Sequence, residues 1–272
     1  MLDMPFFCSF AIFQIVLESF PISSSGHNIL LERIWNKFFY FFSMNLSSGM
    51  HIAQFASWES IMHFLHGPTL IVFFVVFYSS LQSLVAQAAG DKLFLFSIFL
   101  HVIVADCITG LFYLLFKNVG TSWFPLPIGF FCTAVLLFSL HWCQQKKITR
   151  TPWVITCILG TVQGIALLPG ISRLAATFVT ARYLGFASAR ALEVSVLLET
   201  PLIIGAFSRS VFLLYRSNVI TEILQPGHVL CITLATIIAI QGLFIVKRLV
   251  AKNRLWIFSV YMILPIIVSL LV

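Results

Sequence analysis

Hydrophobic residues run along this chain in long blocks, and polar residues are confined to short gaps between them. Six blocks, at about 61–83, 93–116, 126–143, 192–215, 228–247 and 255–272, reach the roughly 20 apolar residues that a spanning helix needs. None shows the period-two alternation of a barrel strand. Lipid tolerates no unpaired backbone group, so each block is predicted as a transmembrane helix. Two further blocks are interrupted. The block at 5–30 breaks at Pro21 and the run Ser23-Ser24-Ser25-Gly26, and the block at 153–186 breaks at Pro169-Gly170. Each half is too short to span alone. Proline removes a helix donor, and glycine and serine loosen the turn. Broken helices of this kind persist at membrane depth where protein or a watery cavity surrounds them. Both blocks are therefore predicted as re-entrant helix hairpins.

Composition sharpens the class. Of 272 residues, 60% are hydrophobic and 9% charged, against about 45–50% and 25% in soluble domains. The mean hydropathy is +1.03. These values exclude disorder, a secreted disulfide scaffold and an ordinary cytosolic enzyme. The fold class is an all-α polytopic membrane protein. The net charge of +7 is scattered and forms no basic stripe, so nucleic acid is not an expected partner. The six cysteines, at 8, 107, 132, 143, 157 and 231, form no CxxC pair and read as buried small hydrophobes. Asp3, with no Lys or Arg before Arg33, argues against a cleavable signal.

Loop charge orients the spans. Lys92, then Lys146, Lys147 and Arg150, then Lys247, Arg248, Lys252 and Arg254 fall in three loops. These share a face if six helices alternate and the second hairpin returns to its own side. The positive-inside rule makes that face cytoplasmic. The first hairpin then enters from outside and the second from inside. This is an inverted-repeat arrangement within a single membrane domain covering 1–272. Repeat 1 is about 1–145 with hairpin 5–30, and repeat 2 is about 146–272 with hairpin 153–186. The internal echo is Gln14 before Pro21 and Gln163 before Pro169. Inverted repeats place their site where broken helices meet.

Charged groups inside a span cost about 2.5–3.5 kcal/mol each on insertion scales, and so mark partners or function. The hairpins concentrate polar groups. The first has Gln14, Glu18, Ser23, Ser24, Ser25, His27 and Asn28, and the second has Gln163, Ser172, Arg173 and Thr177. Gln14 and Glu18, four apart, share a helix face. The segment Pro169-Gly170-Ile171-Ser172-Arg173 reads as a turn opening into a helix, whose free N–H groups and dipole suit phosphate. Arg173 can bind phosphate oxygens through paired hydrogen bonds. Glu59, His63 and His66, at i, i+4 and i+7, have the spacing of a metal face but read first as the polar end of a helix at the interface. Asp106 lies mid-span, with His101, another span or the site as its open choices of partner.

Two motifs resemble those of the undecaprenyl-diphosphate phosphatase family, the bacitracin-resistance membrane phosphatases. The first is Gln14-Ile-Val-Leu-Glu18-Ser-Phe-Pro21-Ile-Ser23-Ser24-Ser25-Gly26-His27. The second is Pro169-Gly170-Ile171-Ser172-Arg173-Leu174-Ala175-Ala176-Thr177, and Glu193 to Pro201 resembles a third block. The resemblance runs from end to end. It implies hydrolysis of undecaprenyl diphosphate to the monophosphate lipid carrier of cell-wall synthesis, in a bacterial inner membrane, with the site open to the outer face. It implies that His27, Glu18 and Arg173 are essential, with a serine of the 23–25 run close to the phosphate and a divalent cation, Mg2+ or Ca2+, associated with activity. By role, His27 is nucleophile or general base, and Ser24 activated by His27 is the alternative nucleophile. Glu18, with Gln14 as a weaker partner, is the expected metal ligand. Gln14, Ser23, Ser25, Gly26, Gly170, Ser172 and Thr177 are expected around the substrate, and apolar grooves beside the hairpins around its polyprenyl tail. The sequence leaves the oligomeric state open, a homodimer included.

This chain departs from the family pattern at four places. Gln14 stands where Glu is common, Leu174 replaces a Ser, Glu199 occupies a place that is usually small and apolar, and Pro68 follows His66-Gly67. Two rival readings share the polar constellation. One is a polyprenyl-phosphate transporter or flippase on the same fold. The other is a type-2 phosphatidic-acid-phosphatase-like enzyme, whose later motif needs a His that this chain lacks between Arg173 and His228.

Overall fold

The computed structural model describes residues 4–42, 60–120, 123–144 and 147–272, and every regular element among them is helical. The first hairpin is α1 (Met4–Glu18) and α2 (Ser24–Phe42). After it come α3 (Gly67–Val76), α4 (Tyr78–Gly90), α5 (Lys92–Val119) and α6 (Leu126–Ser139). The second hairpin is α7 (Pro152–Ile165) and α8 (Arg173–Tyr183), followed by α9 (Ser188–Arg216) and α10 (Pro226–Ala251). A last helix, α11, runs over Leu255–Leu271. Glu59 lies outside the described residues.

Three helices, Leu93–Val119, Ser188–Arg216 and Pro226–Ala251, are long and apolar enough to cross a membrane. Their outer faces carry exposed Leu95, Phe96, Phe99, Phe212, Leu234 and Ile237, as lipid contact requires. Leu126–Trp142 and Leu255–Leu271 are shorter apolar helices. The block expected as one span at 61–83 is instead a bent pair, Ser60–Val76 and Tyr78–Gln87, meeting at 69°. A distant helix braces the bend. At the break, Lys247 of α10 donates to the Val76 carbonyl at 2.9 Å, and its ammonium sits 4.9 Å from the Phe77 ring centroid. A cation at a helix C-terminus satisfies a freed carbonyl and the dipole together.

The two halves interlock reciprocally. The first hairpin's α1 packs along α10 of the second half, and α7 of the second hairpin packs along α5 of the first. The α5–α7 approach is backbone on backbone, because a Cβ on Gly160 would lie 2.7 Å from the Ala105 carbonyl oxygen. Small residues at crossings of this kind let membrane helices close on each other. The α1–α10 approach is stapled covalently by a Cys8–Cys231 disulfide with Cα atoms 5.6 Å apart. The expectation that all six cysteines are buried and unpaired is therefore corrected. Two are cross-linked, and the other four are half-buried or exposed. A separation of 223 residues leaves no spacing signal from which to read the pair.

Alkylation of the denatured protein checks this packing. With no reductant, four thiols are expected to react, those of Cys107, Cys132, Cys143 and Cys157. After reduction all six should react. Six reactive thiols before reduction would contradict the α1–α10 staple.

Candidate functional site

The site forms where the two interrupted helices meet. Pro21 prevents α1 from continuing past Glu18, and Ser23, at φ 65°, turns the chain into α2. The Ser23 hydroxyl accepts the Gly26 amide at 3.3 Å and so caps α2. In the second hairpin Gly170, at φ 84°, makes the corresponding turn. The Ser172 hydroxyl accepts the Ala175 amide at 3.2 Å and caps α8. The second break is seated on α6. Thr133 donates to the Gly170 carbonyl at 2.8 Å and accepts the Ser172 amide at 3.0 Å. Gly26, Gly129 and Gly170 converge there. A Cβ on Gly26 would lie 2.8 Å from the Gly170 Cα, and one on Gly129 would fall on the Pro169 carbonyl oxygen.

This seating brings Glu18 and Arg173, 155 positions apart, within 3.4 Å. Arg173 is also 3.4 Å from Glu199 of α9. Glu18 accepts from Ser24 and, at 3.2 Å, from Gln14. His66 lies 3.6 Å from Glu18, and its Nδ1 is 3.1 Å from the Gln14 amide nitrogen. Asn28 donates to the Gln14 carbonyl oxygen. Glu18, Gln14, Asn28, His66 and Glu199 are all buried. A polar pocket of about 30 Å³ opens here, lined by Glu18, Ser23, Ser24, Ser25, Ser172, Arg173 and Glu199 with Phe20, Ile171 and Leu174. The starts of α2 and α8 both border it, and helix starts present unpaired N–H groups and positive potential.

The structure gathers most of the residues singled out in the sequence, with changes of role. Ser23 and Ser172 line the pocket but spend their hydroxyls as caps. Thr177 is buried and bonds the Arg173 carbonyl at 2.9 Å. The sequence pairs Ser24 with His27, whereas the Ser24 hydroxyl donates to Glu18. His27 is not among the pocket's lining residues. Its Nδ1 is 2.8 Å from the Ser23 carbonyl, which can only accept, so Nδ1 carries the proton. Its Nε2 then accepts from the Tyr261 hydroxyl at 3.1 Å, and the two rings stack at 5.8 Å. Gln14 has its carbonyl oxygen committed to Asn28.

His66 is corrected from an interfacial helix end to a buried partner of Gln14 and Glu18. Its place before Pro68 and Gly67 carried no inward signal. Glu199 and Thr133 enter the site unforeseen. Glu199 stood out only as a departure at a place that is usually small and apolar. Thr133 gave no signal, because a lone threonine in an apolar helix usually bonds its own backbone. Asp106 sits beside Gln163, while His101 stacks on Trp153 at 4.3 Å. An apolar cavity of about 660 Å³ lies among α3, α4, α5, α7 and α9. It shares no lining residue with the polar pocket. Among the described residues no three His, Cys, Asp or Glu side chains converge as a ready-made metal cluster.

The profile of the family described as "Bacitracin resistance protein BacA" matches residues 8–268. Proteins named "Undecaprenyl-diphosphatase" resemble the chain over nearly its whole length. That of Borrelia hermsii (strain HS1 / DAH) is 29% identical, over 94% of this chain and 93% of the relative. That of Thermosipho africanus (strain TCF52B) is 29% identical, over 95% and 96%. "Undecaprenyl-diphosphatase 1" of Shouchella clausii (strain KSM-K16) is 28% identical, over 91% and 88%.

The glycine seat is testable by melting temperature. Gly129→Ala should destabilise the protein by about 1–3 kcal/mol, the usual cost of overpacking. Gly110→Ala, where an added Cβ meets nothing within 4 Å, should melt with the wild type. Equal melting of all three proteins would contradict the seat.

Proposed function

The chain belongs to the bacitracin resistance protein BacA family, and we infer that it is a multi-pass membrane enzyme hydrolysing undecaprenyl diphosphate to undecaprenyl phosphate and inorganic phosphate. The product is the lipid carrier returned to cell-wall synthesis. The observation that carries the reading is the meeting of Glu18 and Arg173, from two separate helix breaks, in one pocket lined by serines. The family match favours neither the transporter nor the type-2 phosphatase reading.

Phosphoryl transfer needs positioning and charge stabilisation above all. Arg173 and the first turn of α8 hold the terminal phosphate. Ser24 is the nucleophile and Glu18 its base, because a nucleophile and its base must be within hydrogen-bond reach and these two are bonded. The Ser24 oxygen attacks the terminal phosphorus while Glu18 takes the hydroxyl proton. The bond from that phosphorus to the bridging oxygen breaks, and undecaprenyl phosphate leaves. Water then displaces the serine, which recovers its proton from Glu18, and the water's spare proton goes to solvent. His27 holds the first turn of α2 through the Ser23 carbonyl and Tyr261 instead of attacking phosphorus.

A hard divalent cation, Mg2+ or Ca2+, suits this donor set. The Glu18 carboxylate borders the pocket among hydroxyls, and Mg2+ is commonly held by one or two carboxylates together with substrate phosphates. Bound there it would neutralise phosphate charge. The site faces outward across the bacterial cytoplasmic membrane in this reading. The loop charges support that orientation. So does the disulfide, since it joins two helix starts expected outside, and disulfides persist in oxidising compartments.

Detergent-purified protein should release phosphate from a polyprenyl diphosphate. Arg173→Ala and Ser24→Ala should each lower the rate by about a hundredfold or more. Rapid quenching with labelled substrate should trap acid-stable label on Ser24. Acid-labile label on His27 would overturn the assignment of the nucleophile, and no release by folded wild type would overturn the function.

A further inference from the structure

Glu199 has no place in the chemistry above, yet it is a buried carboxylate with one oxygen left unpartnered. It lies on α9 two residues before Pro201, which interrupts that helix's own bonding. Gln163 of α7 donates to the neighbouring Leu198 carbonyl at 3.1 Å and fixes this turn against the second hairpin. The side chain is 7% exposed and borders the polar pocket. One oxygen, Oε1, is 3.4 Å from Arg173. The other, Oε2, is fully buried with no hydrogen-bond partner. Buried carboxylate oxygens are costly to leave unmet.

The pocket's charge points the same way. Its lining holds two carboxylates, Glu18 and Glu199, and one guanidinium, Arg173. With both carboxylates ionised the lining carries one net negative charge, which a further cation entering with the diphosphate would offset. Gln14 is not among the residues lining the pocket, and its oxygen already accepts from Asn28. We propose that Glu199, which shares Arg173 with Glu18 and keeps one oxygen unpartnered, is the second carboxylate ligand of a divalent cation that enters the pocket with the lipid diphosphate. The proposal rests on the diphosphatase reading. It assigns to α9 a metal-binding role that the hairpin motifs do not contain.

The test is binding of Mn2+ to the detergent-purified full chain, followed by the electron paramagnetic resonance of free Mn2+, with methylene diphosphonate present. Wild type is compared with Glu199→Gln and Glu199→Asp. Glu199→Gln should weaken Mn2+ binding about tenfold or more and raise the Mg2+ needed for half-maximal phosphate release by a similar factor. Glu199→Asp, which keeps the charge on a shorter arm, should fall between. Should Glu199→Gln not elute as folded protein, Glu199→Asp decides, with weakened Mn2+ binding supporting the assignment. Unchanged Mn2+ affinity in the folded variants would overturn it and leave Glu199 as a charge partner of Arg173 alone. Wild type that binds Mn2+ through Glu199 but releases no phosphate would overturn the hydrolase function and not the ligand.

Discussion

The fold is organised around a charge that cannot stand alone in a membrane. Arg173, on a helix that begins inside the protein, is neutralised by Glu18 from the other half of the chain and by Glu199 from α9. Glu18 is buried and Arg173 half-buried, so removing Arg173 leaves a buried carboxylate short of its cation. The cluster therefore links the two hairpins and α9 through one guanidinium. It also explains why the helices are broken. Only a helix start at that depth can present Arg173 and free amides to a pocket, and only a helix end can stop Glu18 beside it.

The surrounding packing holds that junction in register. Three glycines let the second break lie on α6 and touch the start of α2, and Thr133 bonds both strands of the turn. The exchange of α1 onto α10 and of α7 onto α5 means that neither half can present its hairpin without the other. Gln14 and Gln163, the faint echo between the halves, are both used to reach a helix outside their own hairpin. Gln14 meets His66, and Gln163 meets the α9 backbone beside Glu199.

Much of this was legible in the residues. Pro21, Pro169 and the polar runs beside them announce broken helices, and the four-residue spacing of Gln14 and Glu18 announces one polar face. What escaped was set by partners far away in the chain. The bend at Phe77 is braced by Lys247, which reads as a loop charge until α10 carries it under Val76. His66 reads as a helix end at the interface until it is found against Glu18. Glu199 reads as an outlier in an apolar span. The Cys8–Cys231 pair has no spacing signature. Ser24 and His27, three apart on one helix, look like partners, but their hydrogen bonds lead to Glu18 and to Tyr261 instead. Local spacing says which groups share a face and is silent on what faces them.

The central claim is that the two breaks form one phosphate site. An experimental structure of the protein with a non-hydrolysable polyprenyl diphosphonate tests it most directly. The account predicts the terminal phosphonate within hydrogen-bond reach of Arg173 and the first turn of α8, with the Ser24 oxygen facing its phosphorus. A phosphonate bound elsewhere, with Glu18, Arg173 and Glu199 still closed on one another, would contradict it.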